Sequence, residues 1–185
     1  MIVGVLGLQG AVREHIRSLT KLGAESRIVK TLRDFYGLDG LILPGGESTA
    51  ISLLAEDGVL DRLRDLAASG LPMFGTCAGM ILLAQEVEGR RTPHVGAIDI
   101  TVARNASGRQ VDSFETTLSV DGIGDDVPAV FIRAPYITRV GPGVKPLARH
   151  EGVVVMAEQG KILVASFHPE LTEDLRVHRY FLDRL

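Results

Sequence analysis

Through the first half of this 185-residue chain, apolar runs of strand length alternate with segments of helical period. That alternation is the pattern of parallel strands joined by crossover helices, and it leaves few other architectures open. Ile2–Leu8 reads as a buried central strand. After Gly10, the apolar positions Ala11, Val12, Ile16, Leu19 and Leu22 fall on one face at helical spacing, and Gly23 supplies a C-terminal stop. Ser26–Lys30 reads as a second strand, and Gly40–Leu43 as a third that ends abruptly at Pro44, Gly45 and Gly46. Ser48 can cap a helix through Leu54, and Asp57–Ala68 continues at helical period. Leu71–Thr76 is then a fourth strand, entering a turn over Gly75–Gly79.

Beyond about Gly89 the style changes to short alternating segments: Ile98–Val102, Phe114–Val120, Val130–Ile132, Val153–Ala157 and Ile162–Phe167. These read as antiparallel strands and hairpins, with a tight turn over Gln159–Lys161. A final helix is expected from Thr172, with Leu175, Phe181, Leu182 and Leu185 as its apolar stripe. No repeat, linker or low-complexity stretch divides the chain, so residues 1–185 read as one domain. The expected fold is α/β: a flavodoxin-like three-layer sandwich with a mostly parallel central sheet and additional antiparallel strands in the second half. With 45% apolar and 23% charged residues, a core can form without disulfides or metal clips.

Composition also removes several functions. Lys and Arg total 20 against 23 Asp and Glu, a net charge of −3 with no basic cluster, which argues against a nucleic-acid binder. The N-terminal apolar stretch has neither a basic region before it nor a cleavage site after it, so it reads as a strand and not as a signal peptide. The longest uncharged stretch, Leu66–Gln85, is interrupted by Ser69, Gly70, Pro72, Gly75, Thr76 and Gly79 and is no membrane span. The single cysteine, Cys77, cannot form an intramolecular disulfide or a Cys-rich zinc site. A cytoplasmic protein with a reduced thiol and no metal is the expectation. The Gly4, Gly7, Gly10 spacing misses the dinucleotide fingerprint and there is no Walker A sequence, so no NAD, ATP or other cofactor is assigned.

Chemistry concentrates in Met73–Leu83, MFGTCAGMILL, a G-x-nucleophile-x-G elbow with Cys77 at its apex. Glycines permit a sharp turn that pushes the apical side chain out of the sheet, and the helix N-terminus beyond it favours a thiolate. An isolated cysteine is usually an inert small hydrophobe, and the elbow reverses that reading. The backbone N–H of Ala78 then points at any oxyanion formed on a substrate bonded to Cys77. A thiol nucleophile needs a base, and of five histidines only His168 has suitable company. In Ser166–Glu170, SFHPE, the positions of His168 and Glu170 in extended chain point to the same side. Glu170 can therefore hold one imidazole nitrogen while the other faces Cys77. The remaining histidines, His15, His94, His150 and His178, are expected in structural or solvated roles. Leu41–Ser48, LILPGGES, leaves a parallel strand at its carboxyl end, where ligand crevices of open α/β sheets lie. Its paired glycines let backbone N–H groups complete an oxyanion hole.

PGGES, GTCAG and HPE in this order resemble the class I, triad-type glutamine amidotransferases. The segments GVLGLQGAVREH (Gly4–His15), RNASGRQVDSFE (Arg104–Glu115), FIRAP (Phe131–Pro135) and SFHPELTED (Ser166–Asp174) narrow the likeness to the glutaminase subunits of pyridoxal 5′-phosphate synthases, across essentially the whole chain. The resemblance implies Cys77 as nucleophile, His168 as base and Glu170 as its orienter, with Gly46 and Ala78 forming the oxyanion hole. It implies that Gly46, Glu47, Ser48, Arg104, Ile132 and Arg133 contact L-glutamine, and leaves open which arginine takes the carboxylate. It also implies delivery of ammonia to a barrel-shaped synthase subunit that makes pyridoxal 5′-phosphate from ribose 5-phosphate and glyceraldehyde 3-phosphate. A chain of 185 residues has no room for a (β/α)₈ barrel of about 250. Gln9, at the end of the first strand, is the candidate for sensing that partner. The alternatives are a glutaminase serving another synthase, a catalytically silent module, or a cysteine hydrolase or peptidase on the same fold. Hydrolases of that group often carry His directly after the elbow Cys, where this chain has Ala78.

Overall fold

The computed structural model describes residues 1–7, 10–46, 58–104 and 113–185. The apolar runs of the first half become β1 (Ile2–Leu6), β2 (Glu25–Val29), β3 (Gly40–Leu43) and β4 (Met73–Thr76). Between them lie α1 (Val12–Lys21) and α2 (Val59–Ala68), and α3 (Ala78–Leu83) leaves β4 directly. Gly23, with φ +75°, ends the α1 segment as expected. The expected helix from Ser48 to Leu54, the beginning of the next at Asp57 and the end of the first strand at Leu8 fall outside the described residues.

The second half adds β5 (Ala84–Val87), β6 (Ile98–Ala103), β7 (Phe114–Val120), β8 (Gly124–Phe131), β9 (Tyr136–Val140), β10 (Lys145–His150), β11 (Val153–Gln159) and β12 (Ile162–Ala165), then α4 (Arg176–Leu182). The main sheet runs in the order β2-β1-β3-β4-β12-β11-β9-β6-β5, with β10 paired to β11. From β2 to β12 every neighbouring pair is parallel. Beyond β12 the pairs are antiparallel until the parallel β5–β6 pair at the far edge. β7 and β8 form a separate antiparallel ribbon.

Two apolar cores, one on each face of the sheet, explain the residue pattern. Along β3, Leu41 and Leu43 enter one core and Ile42 the other; along β12, Ile162 and Val164 oppose Leu163 and Ala165. Strands buried on both faces read as continuous apolar runs, and β3, β4 and β12 are buried at every residue. α2 and α3 cover the first face. α1, α4 and the β7–β8 ribbon cover the second, through Leu19, Val177, Phe181, Leu118 and Val127.

The structure corrects the sequence reading in several places. The strand expected at Val130–Ile132 is the longer β8, Gly124–Phe131. Asp125, Asp126 and Pro128 disguise it, because an edge ribbon tolerates proline and exposed acids. Asp126 has φ +56°, and the Asp125 carboxylate accepts a hydrogen bond from Ser119 Oγ at 2.6 Å. The last helix begins at Arg176 and not Thr172. Thr172 Oγ1 instead donates to the Pro169 carbonyl, and the Asp174 carboxylate accepts the Arg176 N–H at 2.9 Å. β12 stops at Ala165, two residues short of Phe167, and β5, β9 and β10 are strands that the sequence reading did not assign.

Candidate active site

β3, β4 and β12 lie side by side and parallel, with Leu43 opposite Gly75 and Thr76 opposite Ala165. Their carboxyl ends therefore release three adjacent segments: Pro44–Gly46, the turn at Cys77, and Ser166–Glu170. At the apex, Cys77 has φ +50° and ψ −109°, a backbone conformation that costs about 1–3 kcal/mol for a residue with a side chain. Its N–H donates to the Ala165 carbonyl at 2.8 Å and its carbonyl accepts from Met80 N–H at 3.0 Å, which hold the turn in place. A Cβ on Gly79 would lie 1.9 Å from the Leu43 carbonyl oxygen, so the elbow can pack against β3 only with glycine there.

His168 follows β12, and its N–H donates to the Val130 carbonyl at 2.8 Å, tying the segment to β8. Pro169–Leu171 form a 3₁₀ turn, so the chain between His168 and Glu170 is not extended as the i, i+2 reading supposes. The turn nonetheless brings Glu170 Oε1 within 2.7 Å of His168 Nδ1, and both residues are buried. Burial disfavours the imidazolium, but hydrogen bonds to Cys77 and Glu170, together with their negative charge, outweigh it and push His168 up to about 10. Gly45 borders both reactive groups: a methyl there would sit 2.7 Å from His168 Cε1 and 2.9 Å from Cys77 Cβ. Cys77, His168 and Gly45 thus meet in one crevice at the carboxyl ends of the strands. Cys77 is partly buried there, and the carboxylate of Glu170 is sealed behind the imidazole.

The other sequence candidates divide. Ala78 follows Cys77 at the start of α3. Ile132 and Arg133 come directly after β8, next to the Val130 carbonyl that anchors His168, and Ile132 is exposed. Arg133 has φ +43°. Arg104 is exposed just beyond β6, whose Ala103 pairs with Tyr136. Among the described residues neither arginine makes an ion pair or a hydrogen bond with the triad. Gln9, Glu47 and Ser48 lie outside the described residues.

Two histidines that the sequence reading left to structural roles stand behind Glu170. His15 on α1 and His178 on α4 are both fully buried, with His15 Nδ1 2.9 Å from His178 Nε2. His15 Nε2 lies 3.3 Å from Thr76 Oγ1 and 3.5 Å from Glu170 Oε2. The sequence did contain a signal: His15 sits between Val12 and Leu19 at helical spacing, a polar residue on the buried face of α1. No helix among the described residues is long and apolar enough to cross a membrane.

The model of the SNO glutamine amidotransferase family matches residues 5–185. The pyridoxal 5′-phosphate synthase subunit PdxT of Geobacillus sp. (strain WCH70) is 54% identical over 184 residues, covering 99% of this chain and 96% of its own. The PdxT of Carboxydothermus hydrogenoformans is 52% identical over 187 residues, covering 100% and 98%. A glutamine amidotransferase crystal structure superposes with a TM-score of 0.93 at 49% identity, covering 100% of this chain and 98% of that one. The fold alone extends to PurLQS from Thermotoga maritima, with a TM-score of 0.72 at 16% identity over 98% and 97% of the two chains.

Proposed function

The chain belongs to the SNO glutamine amidotransferase family, and from that premise we propose that it is the glutaminase subunit of a pyridoxal 5′-phosphate synthase. In this reading residues 1–185 form one glutaminase domain that hydrolyses L-glutamine to L-glutamate and ammonia, with Cys77, His168 and Glu170 as its triad. The observation that carries the triad is His168, bonded through Nδ1 to Glu170 at 2.7 Å and standing with Cys77 against the same residue, Gly45. The subunit name of the relatives supports the choice of synthase.

The chemistry follows from the charges. The Cys77 thiolate adds to the side-chain amide carbon, and the resulting oxyanion is held by the N–H groups of Ala78 and Gly46. Collapse breaks the C–N bond, and the His168 imidazolium protonates the departing ammonia, leaving a γ-glutamyl thioester on Cys77. A thioester sulfur has no negative charge, so the part of His168's raised basicity that comes from Cys77 disappears at this step. The imidazole, now neutral, takes a proton from the water that attacks the thioester. Loss of glutamate restores thiolate and imidazolium. Glutamine is held by Gly46, Glu47, Ser48, Arg104, Ile132 and Arg133, a guanidinium being suited to its α-carboxylate.

The ammonia passes to a barrel-shaped synthase subunit that condenses it with ribose 5-phosphate and glyceraldehyde 3-phosphate, and Gln9 senses docking of that subunit. Work in the cytoplasm suits a nucleophile that must stay a reduced thiol. In the two-subunit complex, Cys77→Ala should abolish glutamine-dependent formation of pyridoxal 5′-phosphate while added ammonium chloride still supports it. A Cys77→Ala complex that still uses glutamine, or that ammonium fails to rescue, overturns this division of labour.

A further inference from the structure

We infer that His15, held in a single tautomer by His178, is the positioning residue that fixes Glu170 behind His168. The inference rests on the triad assigned above and concerns what makes its carboxylate effective. Glu170 spends Oε1 on His168, but its Oε2 is buried and has no hydrogen-bond partner among the described residues. A buried carboxylate oxygen left without a donor is costly, so a donor must come within reach. His15 Nε2 stands 3.5 Å away, just beyond hydrogen-bond length, and the side chains of both residues are wholly excluded from solvent. Catalytic contacts that are long in the free enzyme commonly tighten once substrate is bound.

The tautomers can be deduced from the surrounding atoms. His15 Nδ1 and His178 Nε2, 2.9 Å apart, share one proton-bearing contact. If His15 carried its proton on Nδ1, its Nε2 lone pair would face the Glu170 carboxylate, and His178 would bury an N–H at Nδ1 with no acceptor among the described residues. With the proton of His178 on Nε2 and that of His15 on Nε2, each conflict disappears. His178 donates to His15, and His15 Nε2–H is aimed between Thr76 Oγ1 at 3.3 Å and Glu170 Oε2. What remains is a bare acceptor at His178 Nδ1, cheaper to bury than a bare donor. The other ring around the pair, Phe74, meets both imidazoles edge-on and supplies no charge.

Both histidines are neutral in this arrangement, consistent with the directions in which their surroundings push them. Burial lowers His15 well below the ordinary value, with His178 and His168 adding to the effect, and burial lowers His178 to about 4. A neutral donor orients Glu170 without neutralising it, so the carboxylate's full charge remains available to the His168 imidazolium. The same ring reaches Thr76, the residue before the nucleophile, so one side chain registers the elbow against the acid.

The test uses the complex with the synthase subunit. His15→Leu should lower glutaminase kcat about tenfold to a hundredfold with KM changed less than about twofold, the size found for other outer-shell partners. It should also move the alkaline limb of kcat/KM to lower pH, because a loosened Glu170 holds the imidazolium less well. His15→Gln, which places an N–H donor near the Nε2 position, should recover most of both. Nitrogen-15 spectra of the wild-type imidazoles should show His15 neutral and protonated at Nε2 from about pH 5 to 9, a range spanning the free imidazole value. Unchanged kcat with an unmoved limb overturns the inference, as does a loss of kcat that leaves the limb unmoved and is not recovered in His15→Gln. A His15 ring protonated at Nδ1, or charged near neutrality, overturns it without any variant, so a His15→Leu protein that does not fold decides nothing against the test. Cys77→Ala separates the two proposals: if that variant remains an active glutaminase, the triad assignment fails, whereas an inactive Cys77→Ala beside a fully active His15→Leu overturns the positioning role alone.

Discussion

Glu170 divides two histidine environments of similar burial and opposite character. On the crevice side, His168 is 8% exposed and is raised to about 10; on the far side, His178 is 0% exposed and is lowered to about 4. Burial pushes both toward the neutral form. The difference is company: His168 has a carboxylate oxygen at 2.7 Å and the charge of Cys77 beside it, whereas the one polar partner of His178 among the described residues is the ring of His15 at 2.9 Å. Between these two rings a hydrogen-bonded anion, more than depth, sets the direction of the shift, and one carboxylate marks the boundary between the crevice and the buried pair.

The most severe way to break this contrast is Glu170→Gln. An amide carries no charge, so His168 loses the part of its raised basicity that Glu170 supplies. Ammonia release from glutamine should fall by about 10³–10⁴ in kcat, as when other triads lose their acid. A fall of less than about tenfold would show that Cys77 alone sustains His168. Gly45→Ala attacks the crevice side by geometry, since its methyl would lie 2.7 Å from His168 Cε1 and 2.9 Å from Cys77 Cβ. Misplacement of this size should cost about 10² in kcat, with a lower thermal midpoint; wild-type kinetics would mean the loop moves aside freely.

The two environments also bound stability from opposite sides of neutrality. His168 binds its proton more tightly when folded, so its contribution is complete below the unfolded value of 6.5 and is lost as pH rises toward about 10. His178 resists its proton when folded, so its effect is a loss as pH falls from 6.5 toward about 4, on the order of 3 kcal/mol. Denaturant titrations at a series of pH values should therefore show wild type losing more stability over that acid window than His178→Leu. Parallel curves would show that His178 takes up its proton equally well in both states. The smallest effect is expected far from Glu170. Arg139 on β9 pairs with Asp99 on β6 at 2.6 Å on the surface of the antiparallel half, and exposed pairs of this kind contribute little. Arg139→Ala should leave kcat and the thermal midpoint unchanged within error, and a clear loss of kcat would extend the reactive region well beyond the parallel strands.

Legibility in the sequence followed locality. The elbow is written in consecutive residues, Gly75 to Gly79, and His168 and Glu170 are two positions apart, so their chemistry shows without a fold. The parallel strands β3 and β4 are equally visible, because burial on both faces leaves Thr76 as their only polar side chain; β12 reads from its sequence as antiparallel, yet it pairs parallel with β4 as well as antiparallel with β11. The start of β8 does not show in the sequence because Gly124–Asp126 are exposed and two of the three are acidic. β5 was hidden because Ala84–Val87 continues the apolar run of α3 without a break, and periodicity cannot divide such a run.

By itself, then, the sequence determined the parallel α/β frame and the two short stretches that carry the proposed nucleophile, base and acid, all through residues close in the chain. The tertiary structure alone decided what stands behind the acid and in which direction each buried histidine is pushed. His15 and His178 are 163 residues apart and meet only because α1 and α4 pack on the same face of the sheet. An imidazole's charge depends on the groups that folding brings against it, and no spacing along the chain encodes a contact of that range.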